Sequence, residues 1–159
     1  MMLDPDTDDF DDDDPTMPDP AAVRTRVLVA EDDRDLRQII AGRMRREGFD
    51  VLEACSGDAA LEILITTLAS TDLRDSVDLL VMDVRMPGTS GLEVTRLLRS
   101  AQWSTPVLLI TAYPDARLLD EAALLRAAVL AKPFALDQLS ESAIEVLLTP
   151  DPTRRRSSS

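Results

Sequence analysis

The sequence predicts an α/β fold in which a five-stranded parallel sheet, strand order 2-1-3-4-5, is wrapped by helices on both faces. Three observations carry this. Five short runs recur along the chain, rich in Val, Ile and Leu as strands buried on both faces should be. A stretch with helical spacing of apolar residues follows each run, so the order reads βαβαβαβαβα. The apolar share, 45% of 159 residues, is enough to give one domain a core. Such alternation implies parallel strands joined by right-handed crossovers. In doubly wound sheets of this size 2-1-3-4-5 is a common order, and ligands bind beyond the carboxyl ends of the strands, at the switch between strands 1 and 3.

Each element has its own signal. The first strand is "VLVA" (27–30), ended by Glu31 and Asp32. Its helix places Leu36, Ile39, Ile40 and Met44 at helical spacing and stops before Gly48. The second strand is "VLEA" (51–54), followed by a helix carrying Ala60, Leu61, Leu64, Ile65 and Leu68. The segment "ITTLASTDLRDSVD" (65–78) is long for a connection and reads as an extended helix end and loop. The third strand, "LLVM" (79–82), ends on Asp83, and Pro87 and Gly88 stop it and open a loop. Leu92, Leu97 and Leu98 mark the third helix, "VLLI" (107–110) the fourth strand, and Leu118, Leu119, Ala122 and Leu125 the fourth helix. "AVLA" (128–131) is the fifth strand, and Leu139, Ala143, Val146 and Leu147 mark the last helix.

Charge divides the chain. The net charge is −13, but nine Asp residues stand within positions 1–20, leaving 21 acids against 17 bases, or −4, for the rest. Self-repelling and poor in apolar residues, residues 1–24 are expected to be a disordered tail, as are residues 149–159 around "RRRSSS". The folded domain is expected at residues 25–148. No apolar stretch reaches membrane-spanning length and no secretory leader opens the sequence, so a cytoplasmic location without membrane contact is expected. The single cysteine, Cys55, and the absence of histidine exclude an internal disulfide and a Cys/His metal site. Three arginines on a flexible end are too few for specific nucleic-acid binding.

The chemistry collects at strand ends. Glu31 and Asp32 close the first run as Asp83 closes the third, so three carboxylates meet at the switch point. Without a counterion they repel, whereas a hard divalent cation with oxygen coordination removes that penalty, which points to Mg2+. The expected setting of Asp83 is a shallow, solvent-facing acidic cleft. Thr111 after the fourth run offers a hydroxyl and Lys132 after the fifth an ammonium, so an anion belongs between them. Metal on one side and Lys132 with Thr111 on the other would neutralise a phosphoryl group moving onto Asp83. Each residue taken singly has a plainer reading, as turn former, surface lysine or strand threonine. Their weight comes from the set.

The segments "VLVAEDDRDLR", "DLLVMDVRMPGTSGLEV", "PVLLITAY" and "KPF", in this order, resemble the receiver domain of two-component response regulators, and the resemblance covers the whole expected domain. It implies a flavodoxin-like fold and a single-domain response regulator, a phosphoprotein rather than an enzyme acting on other substrates. It implies Asp83 as phosphoacceptor and Glu31 and Asp32 as the acidic pair holding magnesium with it. Arg85 would lend its backbone carbonyl to the metal, Thr111 would move toward the phosphate and Lys132 would contact it. The implied partners are a histidine kinase or histidine phosphotransfer protein as donor and a protein target of the phosphorylated form. Asp33 is given no ligand role.

Two departures from that family stand out. Val129 occupies the position, three before the lysine, where receivers often carry a Tyr or Phe that rotates on activation. "LLRAA" (124–128) replaces the small-residue turn that commonly precedes the last strand. Tyr113 is a candidate substitute reporter, its plainer reading being a loop aromatic. The departure at Val129 favours one alternative, a receiver-fold scaffold that works without phosphorylation. A second, a phosphatase resembling the haloacid dehalogenase type, fails because Arg85 stands where its Asp-X-Asp general acid is needed.

Overall fold

Side chains on successive strand residues point to opposite faces of a sheet, so an uninterrupted apolar strand must be covered on both sides. The computed structural model, which describes residues 24–72 and 75–149, shows this arrangement. Five strands, β1 (Arg26–Ala30), β2 (Asp50–Ala54), β3 (Leu79–Asp83), β4 (Val107–Thr111) and β5 (Ala128–Ala131), alternate with α1 (Arg34–Arg46), α2 (Gly57–Ala69), α3 (Gly91–Ser100), α4 (Ala116–Leu124) and α5 (Leu136–Leu148). All pairings are parallel and the order is β2-β1-β3-β4-β5, as expected. Apart from Arg24 and Thr149, the two expected tails lie outside the described residues.

The two faces hold separate cores. Leu28, Leu80, Met82 and Leu109 pack with Ala60 and Leu64 of α2, Val94 and Leu98 of α3, and Leu118 and Ala122 of α4. On the other face Val27, Val29, Val81, Leu108 and Ile110 pack with Ile40 and Met44 of α1 and Leu139 and Ala143 of α5. Ile39, Ile65, Leu97 and Leu119, which share the helical spacing, are exposed instead, Ile65 by 64%. The apolar arc of these helices is wider than the strip the sheet covers, so its outer members stand at the rim.

Helix starts are set by side-chain caps. Asp33 accepts the N–H groups of Asp35 and Leu36 at the start of α1, a role that accounts for this third acid without a metal. Ser56 caps α2, Ser90 and Glu93 form a capping box on α3, and Asp115 caps α4. The long connection continues α2 to its end at Ala69, and its residues 70–72 and 76–78 are loop. It is drawn back to the sheet where Asp78 Oδ2 accepts the Arg26 N–H at 2.8 Å. In the unusual 124–128 turn, Arg126 takes a left-handed conformation, φ 57°. The Arg126 and Ala127 N–H groups bond back to the carbonyls of Ala123 and Ala122, which closes α4 with a Schellman motif.

Candidate phosphoacceptor and metal site

Parallel register brings the strand ends to one edge of the sheet. Val27 of β1 lies opposite Leu79 of β3, Asp83 of β3 opposite Ile110 of β4, and Thr111 of β4 opposite Ala131 of β5. The residues just beyond these ends therefore converge. Carboxylate oxygens of Glu31, Asp32 and Asp83 all lie within 4.8 Å of one another. Lys132 Nζ enters from β5 and donates to Asp83 Oδ2 at 2.6 Å and to Glu31 Oε1 at 3.3 Å. The Lys132–Pro133 peptide that follows is cis.

One expectation is corrected here. Asp83 does not face solvent but is only 6% exposed. Its two oxygens are covered from different sides, Oδ2 by the Lys132 ammonium and Oδ1 by the Arg85 backbone N–H at 2.9 Å. The lysine reaches further over the acid than its place at a strand end suggests, because an ammonium on a four-carbon stem moves to the nearest uncompensated charge.

Glu31 is buried, 2% exposed, and this sets its electrostatics. Burial raises its pKa from 4.5 to about 7; the Asp33 N–H on Oε2 pulls it back, and neighbouring Asp83 and Asp32 push it up again. The Lys132 ammonium is drawn down by its own burial, but its bonds and charge attraction to Asp83 and Glu31 outweigh this and hold it above its ordinary value. Three crowded acids, one of them driven toward its neutral form, suit a hard dication with oxygen ligands, so the donor set fits magnesium. Asp32, which is exposed, leaves the cluster open on its solvent side.

Thr111 ends β4, and Arg85 follows Asp83 in the loop after β3. Thr111 is buried at the end of β4, and its Oγ1 accepts the Tyr113 N–H at 3.0 Å. The Arg85 side chain, to which the sequence assigned no role, lies over the exposed Tyr113 ring at 4.6 Å and joins the loops after β3 and β4. Arg37 was also missed. Its guanidinium donates to the Glu31 carbonyl at 2.9 Å and to Glu53 at 3.2 Å, bracing the β1 end against β2. A basic residue one helical turn past an acidic pair was the available signal.

An α/β sheet with an acidic cluster and a lysine at its switch point is equipped to handle a cation and a phosphoryl group together. The chain belongs to the response regulator receiver family, whose domain model matches residues 27–144. It is 33% identical over 125 residues to the uncharacterized transcriptional regulatory protein YrkP of Bacillus subtilis, covering 77% of this chain and 49% of that protein. It is 40% identical over 117 residues to the response regulator protein PmrA of Pseudomonas aeruginosa, covering 72% and 48%. The chain thus spans about half the length of these relatives. Among solved structures, the receiver domain of the Francisella response regulator 1452 aligns with TM-score 0.67 and 29% identity over 77% of this chain and 96% of that one. The receiver domain of NarL from Mycobacterium tuberculosis aligns with TM-score 0.68 and 26% identity over 81% and 100%. Membership places the chain in two-component phospho-signalling. Among the described residues no helix is long and apolar enough to cross a membrane.

Proposed function

We propose that this receiver is a phosphorylation-controlled switch that accepts a phosphoryl group on Asp83 from a histidine kinase or histidine phosphotransfer protein. The observation that carries this is the placement of Asp83, within 4.8 Å of two further acids and 2.6 Å from the Lys132 ammonium. In the transfer an Asp83 oxygen attacks phosphorus, the P–N bond of the donor phosphohistidine breaks, and its electron pair leaves on the imidazole nitrogen. Lys132 turns from the carboxylate to the incoming phosphoryl oxygens, and the Arg85 N–H keeps the other Asp83 oxygen in place. Thr111 then turns its hydroxyl to donate to a phosphoryl oxygen and gives up the Tyr113 N–H that its oxygen accepts, which reshapes the loop after β4. Magnesium held by Glu31, Asp32, Asp83 and the Arg85 carbonyl would neutralise charge on the phosphoryl group. These 159 residues hold no histidine, so in this reading the phosphohistidine lies outside them.

The switch passes its state to a protein target or relays the phosphate, works in the cytoplasm with the kinase that feeds it, and acts as a single-domain regulator rather than as an enzyme on other substrates. The intact mass of the protein from its native cells checks the single-domain part. Transcriptional regulation belongs to the relatives and is not carried over. Val129, half-buried against the face of α2, α3 and α4, leaves no ring on β5 to rotate and favours a second reading, a receiver-fold scaffold independent of phosphate.

Intact mass after incubation with acetyl phosphate, with and without Mg2+, separates the two readings. The switch requires a magnesium-dependent gain of one phosphate in the wild type and none in Asp83→Asn. No gain in the wild type from acetyl phosphate or from a phosphorylated histidine protein selects the scaffold.

A further inference from the structure

The loop of residues 84–90 runs from the acceptor to α3 and carries the Arg85 backbone past the acidic cluster. It is fastened at two points. Near α3, the Gly91 N–H donates to the Val84 carbonyl at 3.0 Å, and a Cβ on Gly91 would collide with the Asp83 carbonyl oxygen. The other fastening lies on α2, outside the site described above. Thr89 Oγ1 donates to Asp58 Oδ1 at 2.6 Å, a bond between positions 31 apart in sequence. Gly88, in a left-handed conformation with φ +77°, lies so close that a Cβ would meet Asp58 Oδ2 at 2.6 Å. Gly57, the first residue of α2, presses on the Thr89 carbonyl, whose oxygen leaves no room for a Cβ.

The seat for this contact is built in. Asp58 stands in the first turn of α2, where the positive end of the helix dipole favours a carboxylate. A hydroxyl bonded to a carboxylate makes a charge-assisted bond, stronger than a neutral pair. Gly57 and Gly88, both lacking a side chain, let loop and helix meet backbone to backbone around it. The cap of α2 is Ser56, which already accepts the Ala59 N–H. The Asp58 carboxylate is left to hold the loop.

We propose that Asp58 is a positioning residue for the acceptor site: through Thr89 it holds the 84–90 loop so that the Arg85 backbone stays on Asp83 and at the edge of the cation site. This rests on the phosphoacceptor reading. The latch is made wholly of the chain's own groups, so it acts before any phosphate arrives. It links the first turn of α2, at the outer edge of the sheet, to the centre of the site.

The test uses the full chain with Asp58→Ala, Asp58→Asn, Thr89→Val, Thr89→Ser and the Asp58→Ala/Thr89→Val double variant. Three quantities are read: exchange of the Arg85 amide proton in metal-free protein by NMR, Mg2+ affinity by calorimetry, and the initial rate of phosphorylation by acetyl phosphate below magnesium saturation. Asp58→Ala and Thr89→Val should each speed amide exchange about tenfold and weaken Mg2+ binding and phosphorylation roughly three- to tenfold. The double variant should be no worse than either, as expected when both substitutions break one bond. Thr89→Ser should return to within about twofold of wild type, and Asp58→Asn, which keeps an acceptor but loses the charge that strengthens the bond, should fall between wild type and Asp58→Ala. Unchanged exchange and affinity in Asp58→Ala overturns the latch, as does a Thr89→Val variant that behaves as wild type while Asp58→Ala is weak, which would assign the effect to the Asp58 charge and not to the bond. A wild type that takes up no phosphate overturns the phosphoacceptor reading, while the exchange and affinity measurements still decide the latch.

Discussion

Lys132 Nζ donates to Asp83 Oδ2 at 2.6 Å, and the same ammonium reaches Glu31 Oε1 at 3.3 Å. Without a bound cation the lysine is the internal counterion of the acidic cluster. It has two opposed effects: it competes with a cation for Asp83, and it is the positive charge an incoming phosphoryl group meets. Lys132→Ala should therefore bind Mg2+ more tightly by about three- to tenfold, since a like charge has left the site, and yet accept phosphate from acetyl phosphate more slowly. Calorimetry and intact mass check the two effects. Its melting point should fall in metal-free protein, because the nearly buried Asp83 and Glu31 lose their counterion, and saturating Mg2+ should restore most of that loss.

Glu31 predicts a pH dependence. Its pKa in the fold, about 7, lies above the ordinary 4.5 because burial disfavours the charged form. A raised carboxyl contributes stability that is complete below about pH 4.5 and is lost as pH rises through about 7. The metal-free protein should lose several degrees of melting temperature between pH 5.5 and pH 8. Saturating Mg2+ should remove that loss, and Glu31→Gln should flatten the profile in the absence of metal.

Thr111→Ala should separate acceptance from response. The variant keeps Asp83, Lys132 and the acidic pair, so phosphorylation by acetyl phosphate should stay within about threefold of wild type. It removes the hydroxyl that holds the Tyr113 N–H, so the loop after β4 no longer senses the phosphate. Amide chemical-shift changes in residues 112–115 on phosphorylation should shrink accordingly.

Two glycines should respond in opposite directions to alanine. Gly57→Ala drives a Cβ into the Thr89 carbonyl oxygen, a backbone atom that cannot swing away, and should cost about 2–3 kcal/mol or more. A Cβ added to Gly42, inside α1, meets nothing within 4 Å, so Gly42→Ala should stabilise by about 0.5–1 kcal/mol through helix propensity alone. Urea denaturation of both variants makes the comparison.

Arg126 holds the left-handed position of a Schellman motif with φ 57°, where a Cβ crowds its own carbonyl. Arg126→Gly should raise stability by about 1 kcal/mol, read by the same titration.

Much of this was legible from the residues. Each strand begins and ends within one residue of its Val-, Ile- and Leu-rich run, most plainly β3 and β4, which are buried along their whole length and leave an unbroken signature. The convergence of Glu31, Asp32, Asp83 and Lys132 followed from their places at strand ends and the order of the sheet. The burial of Asp83 was not legible, because it depends on where a long, flexible lysine side chain comes to rest. Ile39, Ile65, Leu97 and Leu119 show a similar limit: helical period tells which residues share a side, not how much of that side the sheet covers. The Asp58–Thr89 bond joins two segments with no common pattern, and only the packing of α2 against α3 and the sheet brings them together.

The chain has one tryptophan and one tyrosine, and the fold sets them at opposite ends of the same strand. Trp103 precedes β4 at its amino end, packed against the core face of α3, while Tyr113 follows β4 at its carboxyl end beneath Arg85. The two chromophores are optically separable. Indole emission excited at the red edge should follow global melting, and the ring-proton NMR signals of Tyr113 should follow events at the mouth of the site. An unlabelled sample thus carries separate spectroscopic gauges for folding and for signalling.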